Sequence, residues 1–454
     1  MLLDSERPLS SEGPGEGRAR PWRPLLEGDL AAQAWEAVNA IAQTFAAWSP
    51  GNPGEDQLER WLDRHISLGG GAAGQALFYG YLSRAAAAEH HAARAEQLLG
   101  EAVEALATIP MRPALFSGFT GIGWAAEHLG CLLDGEEEQE GSGVDDADTS
   151  EEIDEALLAV LDRFSWVGDY DLFSGLVGFG VYALERFPRP SAVRCLEVII
   201  DRLEKGAERN GQEVTWLTPP EILPGAARER TPCGYYDLGV AHGVPGVVAF
   251  LANACRLGIR QDRARPLLEG AVRWLVRQHL AGQRGAARFP SRVGPGLEAR
   301  PGRLAWCQGD PGIAATLLYA ARAVGMEEWE RTALAIAAHA ASAAPEETGV
   351  RDMGLCHGAL GLAHLYNRIH QAGGGELFAD AARLWYRLGL EMHNSKDMQL
   401  HWEANPGLLT GAAGVGLALL AAVTPIQPEW DRLLLVAIPP VRSPDLLGGL
   451  RRKV

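Results

Sequence analysis

Cys356 and His357 stand side by side in "GLCHGALG" (354–361), a glycine-rich stretch of a chain that holds six cysteines in all. A second cysteine, Cys307, lies in "AWCQGDPG", His242 in "GVAHGVPG" and Asp171 in "YDLFSG". Two thiols and an imidazole make a soft three-ligand set that suits Zn²⁺ and leaves a fourth position open, the mark of a catalytic rather than a closed structural site. Adjacent residues diverge on a regular helix or strand, so Cys356 and His357 can converge on one ion only from a bend. Each cysteine taken alone reads as a small buried hydrophobe. Three roles stay open for His242: a fourth ligand, a general acid/base, or a core histidine bonded to a carbonyl. Asp171 either orients His242 or caps the helix after it.

These residues share a setting. Each precedes or abuts a G-x-x-G unit, and such units begin at Gly71, Gly118, Gly175, Gly243, Gly309, Gly358 and Gly411. With 54 glycines in 454 residues, the bare pattern is no rarer than chance. The continuations are more telling, for most units run on into apolar helical segments such as "GFTGIGWAAEHL", "GVPGVVAFLANA" and "GAAGVGLALLAAV". Before most units lies a more charged, amphipathic segment, for example "LLEGAVRWLVRQHLA". A helix that is apolar on all sides must be enclosed on all sides. The expected fold is therefore all-α, with seven inner helices ringed by seven outer ones, an α/α toroid. An open helical solenoid is the competing arrangement. In the closed form all seven glycine turns gather at one end, and Cys307, Cys356, His357, His242 and Asp171 become neighbours.

Composition narrows the classes. The formal net charge is −17, which argues against nucleic acid as a partner. Twelve acidic residues fall between Asp134 and Glu155 with no basic residue among them, leaving −5 for the rest of the chain. That stretch reads as a disordered, solvated insertion. Residues 1–25, rich in Pro, Gly, Arg and Glu, read as a mobile tail, and 437–454 as a C-terminal tail, around a single domain at 26–436. The N-terminal segment has no apolar core of a signal peptide, and the longest apolar run (411–426) is too short and Gly/Ala-rich for a membrane span. The expectation is a cytoplasmic protein without a disulfide framework. Two Pro-, Gly- and Arg-rich segments, 209–237 and 282–303, are long loops placed to contact a substrate. Cys131, Cys195, Cys233 and Cys255, with His339 and His364, read as packing or loop residues.

The segments "AWCQGDPGIA", "GLCHGALGLAHL", "GVAHGVPGVV", "YDLFSGLVG" and "NPGLLTGAAGVGLALL" resemble the lanthionine cyclase (LanC-like) family, from about residue 68 to 423. The resemblance implies a double ring of seven and seven helices and Zn²⁺ held by Cys307, Cys356 and His357. It also implies cyclisation of a dehydrated precursor peptide, whose cysteine thiols add to dehydroalanine or dehydrobutyrine to give thioether rings. By the same resemblance His242 is the acid/base, Asp171 its acidic partner, and Arg303 a stabiliser of the enolate oxygen. A dehydratase and an exporter are the implied pathway partners. Where the family often has tyrosine after the first zinc cysteine, this chain has Gln308. Two other readings share the metal: a zinc-dependent thiol alkyltransferase acting on a prenyl or glutathione electrophile, and a non-catalytic, zinc-containing peptide scaffold.

Overall fold

The structure is a computed structural model and describes residues 21–46, 58–86, 88–133, 150–162, 169–280, 285–393 and 405–440. Sixteen α-helices run through these described residues. The chain opens with α1 (Gly28–Ala46), α2 (Leu58–His65), α3 (Ala72–Ala86), α4 (Glu89–Thr108) and α5 (Phe119–Leu133). Next come α6 (Glu151–Asp162), α7 (Leu176–Glu185), α8 (Pro190–Gly206), the short α9 (Gly225–Arg230), α10 (Val244–Leu257) and α11 (Gln261–Arg277). The last are α12 (Asp310–Val324), α13 (Glu327–Ala341), α14 (Ala359–Ile369), α15 (Glu376–His393) and α16 (Ala412–Val423).

Two kinds of helix alternate, and burial separates them. Along α16 every residue from Ala412 to Ala422 is buried, whereas α8 buries only Ala192, Cys195, Leu196, Ile199, Ile200 and Leu203, one stripe at helical spacing. The inner set is α3, α5, α7, α10, α12, α14 and α16, and each begins at the residue after the first glycine of a G-x-x-G unit. Neighbouring inner helices pack in chain order, and α16 packs back on α3. The ring is closed, which settles the choice against a solenoid. Most inner helices pair with the outer helix next in the chain: α3 with α4, α7 with α8, α10 with α11, α12 with α13 and α14 with α15. The last inner helix, α16, has no successor among the described helices, and α1 from the start of the chain covers it.

The glycines of the repeat have a steric cause. A Cβ on the second glycine of each unit would overlap the carbonyl oxygen of the residue six positions before it, as at Gly121 against Leu115 and Gly414 against Leu408. The turn lies so tightly over the first turn of its helix that only hydrogen fits there. The turns are also tied to one another. Cys307 N–H donates to Cys356 O (3.1 Å), Cys356 to Leu409 (2.8 Å), Leu408 to Gly69 (2.8 Å) and Gly69 to Phe116 (2.7 Å). Leu115 then donates to Phe173 (3.2 Å), Leu172 to Ala241 (3.1 Å) and Ala241 to Cys307 (3.3 Å). Seven backbone hydrogen bonds thus run once round the rim and meet.

The other end of the ring is partly filled, with a cavity of about 390 Å³ left between the inner helices and residues 427–440. A 3₁₀ segment, Glu429–Leu434, enters among the C-terminal ends of the inner helices. Buried Asp431 accepts two hydrogen bonds from Arg368 and one from His364, each 2.8 Å, and Leu434 O accepts one from Trp306 Nε1 at 2.9 Å. His364 is thus the packing residue expected from its place in a helix.

The edges of the domain differ from the expectation. Trp22 and Leu25 do not belong to a tail: both are buried, Trp22 Nε1 donates to Ala421 O, and Leu25 N–H donates to Ala422 O. Ile438 is buried and Pro439 O accepts from Arg322, so packing continues past residue 436. Residues 151–155 of the acidic stretch form the start of α6, where three carboxylates favour a helix N-terminus. Asp154 among them is fully buried and paired with Arg186 at 2.8 Å. Residues 134–149, 1–20 and 441–454 lie outside the described residues. The two loop segments 209–237 and 282–303 carry small strands: β1 (Glu208–Asn210) pairs with β2 (Glu213–Thr215), and β3 (Tyr236–Asp237) joins the two loops through β4 (Arg292–Val293).

Candidate metal centre and active site

The seven turns form a shallow bowl in which one residue per turn faces the opening. It is the residue just before the first glycine: Gly70, Ser117, Ser174, His242, Gln308, His357 and Thr410. All seven are at least partly exposed, and each is followed by a buried glycine. One position earlier, the fifth and sixth turns both carry cysteine. The rim hydrogen bond from Cys307 N–H to Cys356 O holds the two backbones together, so the sulfurs meet although 49 residues separate them.

The ligand atoms of Cys307, Cys356 and His357 lie within 4.8 Å of one another. Both thiols are buried and the imidazole is partly so. His357 Nε2 faces Asp352 Oδ2 at 3.4 Å, and Nδ1 is a buried nitrogen with no hydrogen-bond partner among the described residues. This division is what a metal-binding histidine needs: one nitrogen held by a carboxylate, the other left for the ion. The two sulfurs act on each other in opposite directions. The hydrogen bond from Cys356 holds the Cys307 thiol down to about 5 against burial, helped by His357 and Arg303, and the same bond pushes Cys356 well above the ordinary thiol range. The neighbouring Cys307 sulfur, with the Asp352 carboxylate, raises His357 against burial. Two buried sulfurs and an imidazole nitrogen without a partner among the described residues fit a soft divalent cation, whose binding would displace the thiol protons.

His242 lies in the adjoining turn. Its Nδ1 donates to Asp171 Oδ2 at 2.5 Å, which leaves Nε2 toward the bowl, and its ring packs on Phe173 at 4.7 Å between centroids. The imidazole side chain is 48% exposed and that of Asp171 only 3%. Burial alone would lower the His242 pKa; the hydrogen bond and charge of Asp171, backed by Asp237 and Asp169, outweigh it and leave the pKa raised. Asp171 does two things at once, since its Oδ1 accepts the Ser174 N–H at 2.8 Å while Oδ2 holds the histidine. Arg303 Nη2 stands 3.6 Å from Cys307 Sγ. All six residues singled out in the sequence come together in one arc of the bowl.

Two others were missed. Asp352 backs His357, and fully buried Asp237 accepts from Gly239 N–H (2.8 Å), Arg292 Nε (3.3 Å) and Gln308 Nε2 (3.3 Å). Gln308 therefore ties the fifth turn to the loop that carries His242. Aligned on the first glycine of each turn, Asp169, Asp237, Asp352 and Asn405 fall in one column, and that alignment is the signal that could have found them.

A ring of seven inner helices closed on itself, with a Cys-Cys-His cluster at one end, defines a class. The family described as "Lanthionine synthetase C-like protein" matches residues 63–435, and the chain belongs to it. Among curated proteins it is similar to the nisin biosynthesis protein NisC of Lactococcus lactis subsp. lactis, 25% identical over 300 residues that span 63% of this chain and 67% of that one. Among solved structures it is similar to a nisin cyclase, with a TM-score of 0.69 and 21% identity, covering 88% of this chain and 97% of the other. That likeness establishes the toroid. No helix among the described residues is long and apolar enough to cross a membrane.

Proposed function

We propose that this protein is a zinc-dependent lanthionine cyclase, joining cysteine thiols of a dehydrated precursor peptide to dehydroalanine or dehydrobutyrine. The observation that carries the reading is the pairing, in one bowl, of the Cys307–Cys356–His357 cluster with a carboxylate-oriented histidine, His242. A scaffold that used its metal only to fold would need no such histidine. A zinc ion held by the two sulfurs and His357 would supply the positive charge that makes a peptide thiol, ordinarily of pKa about 8.5, ionise at neutral pH.

The chain's own residues account for the proton and the charge. His242, kept by Asp171 in the tautomer with Nε2 free, takes the thiol proton as general base. The sulfur forms a bond to the β-carbon of the dehydro residue, and the electron pair of the C=C bond moves onto the α-carbon and its carbonyl as an enolate. Arg303, whose Nη2 is 3.6 Å from the Cys307 sulfur, is the guanidinium that would stabilise the enolate oxygen. The proton on His242 then returns to the α-carbon, so that no atom is gained or lost. A dehydro residue arises by loss of water from serine or threonine, so the proposed reaction comes after a dehydration step and takes its product.

The test is an incubation of the full-length protein with a synthetic peptide holding one cysteine and one dehydroalanine. Free thiol is followed by alkylation and mass spectrometry. Thiol should disappear without change of mass, and His242→Gln should slow that loss by about 10²- to 10⁴-fold while zinc content stays near one per chain. Thiol persisting at the rate seen without protein would remove the cyclase reading. Full-rate cyclisation by the variant would remove the acid/base role.

A further inference from the structure

The turns are built on one mould, so departures from it are informative. Six residues before the first glycine, the backbone carbonyl accepts the first helical N–H: Arg112 O from Phe119, Asp169 O from Leu176, Asp352 O from Ala359 and Asn405 O from Ala412, at 2.8–3.2 Å. At four of the seven turns the side chain at this place also shapes the bend. Asp169, Asp237, Asp352 and Asn405 each accept the N–H two residues on, at 2.8–3.2 Å. The other three turns carry basic residues there: His65, Arg112 and Arg303.

Arg303 is directed at the Cys307 sulfur. Arg112 is its counterpart on the opposite arc, where the carboxylate it acts on is that of Asp63. Its backbone is pinned beneath the turn, where a Cβ on Gly118 would overlap its carbonyl. Its side chain is exposed, and no carboxylate among the described residues lies within ion-pair distance of it. Arg112 lines a cleft of about 850 Å³ whose wall also includes Arg64, Phe116, Phe173, Thr410 and, at the metal cluster, Cys356. Arg64 is exposed and likewise without an ion pair among the described residues. As a cation in the last turn of α2 it has a helix-dipole role. Arg112 lies in no helix and has none. The carboxylate of Asp63 shares the wall and offsets one of the two charges, leaving a net positive face.

We propose that Arg112, with Arg64 beside it, is a subsite for a carboxylate of the peptide, which holds the chain across the cleft while its thiol reaches the cluster. This rests on the peptide-cyclase reading. A guanidinium fork matches a carboxylate in shape as well as charge. The carboxylate can come from an acidic side chain or from the peptide's C-terminus.

The experiment measures binding alone, by fluorescence anisotropy on the full-length zinc-loaded protein. Three N-terminally labelled heptapeptides share one cysteine and contain no dehydro residue. One has a glutamate and an amidated end, one a glutamine and a free carboxyl end, and one a glutamine and an amidated end. At least one acidic peptide should bind about tenfold more tightly than the neutral one, and which of the two does so identifies the source. The preference should shrink in about 0.5 M salt, fall in Arg112→Gln, and vanish in Arg64→Gln/Arg112→Gln with the neutral peptide's affinity unchanged. Arg112→Lys should keep part of it. Equal binding of all three peptides by the wild-type protein, or a preference that survives the double variant, would overturn the proposal. Because no bond forms in this assay, an Arg112-dependent preference in a protein that fails to cyclise would sink the reaction and keep the subsite.

Discussion

The two arcs of the bowl have the same backbone and opposite characters. From the third to the sixth turn the exposed and flanking positions carry Asp171, His242, Arg303, Cys307, Cys356 and His357. Through the seventh, first and second they carry Thr410, Gly70 and Ser117, with Arg112 and Arg64 on the wall and Phe116 packed on Phe173 at 4.7 Å. The rim hydrogen bonds and the glycine-tight turns are common to both arcs. The fold is therefore written in backbone contacts that tolerate any side chain at the exposed position, and the chemistry is written in those exposed positions. One arc has reactive groups and the other has room.

That division can be broken, and the largest effect is expected at the proposed metal site. Cys356→Ala should reduce zinc from about one per chain to a small fraction and bring cyclisation to background, read by metal analysis and thiol alkylation. Its far-ultraviolet circular dichroism should be that of the wild type, because Cys356 joins the rim through its N–H and C=O alone. An unfolded variant would mean that the sulfur belongs to the mould after all.

A smaller change should attend Asp171→Asn, which sharpens the role of the histidine. Asp171 supplies the hydrogen bond and charge that raise His242 against burial. A base must be deprotonated to act, so the wild-type kcat/KM should climb with pH through a raised His242 pKa. Without the carboxylate that limb moves to lower pH, while kcat falls by about tenfold as the tautomer is lost. A limb that stays in place or moves to higher pH would show that another group governs it.

The smallest effect on activity, and a clear one on stability, belongs to the quiet arc. In Gly121→Ala the new methyl group meets the Leu115 carbonyl, and the cost should be about 1–3 kcal/mol in denaturant unfolding. Zinc content and kcat should be those of the wild type. Loss of zinc in this variant would mean that the arcs are not independent.

Much of this was legible beforehand because the inner helices are apolar on every side and the outer ones on a single stripe. The reactive residues also sit at matched offsets from their glycines, so Cys307, Cys356, His357, His242 and Asp171 could be grouped across long separations. The glycines themselves looked like chance, since the overlap that forbids a Cβ is with a carbonyl whose position only the folded turn defines. Closure was open for the same reason: it depends on backbone bonds such as Leu408 to Gly69, which no side chain advertises. Asp352 and Asp237 escaped notice because an Asp in a turn is unremarkable until the seven turns are superposed. The helix at 151–162 was hidden by its own acidity, and buried Arg186, with the hydroxyls of Tyr182 and Ser191, explains Asp154.

The circuit of seven hydrogen bonds has a topological consequence. A linear array of repeats has end units that fray first, and its functional surface inherits that gradient. Here α1, from the start of the chain, lies over α16, the last inner helix, outside the circuit, and the circuit passes beneath them without interruption. The rim has no first or last member. Any of the connections between an inner helix and the outer helix after it could carry the chain ends instead, and the same seven turns would still surround the same bowl.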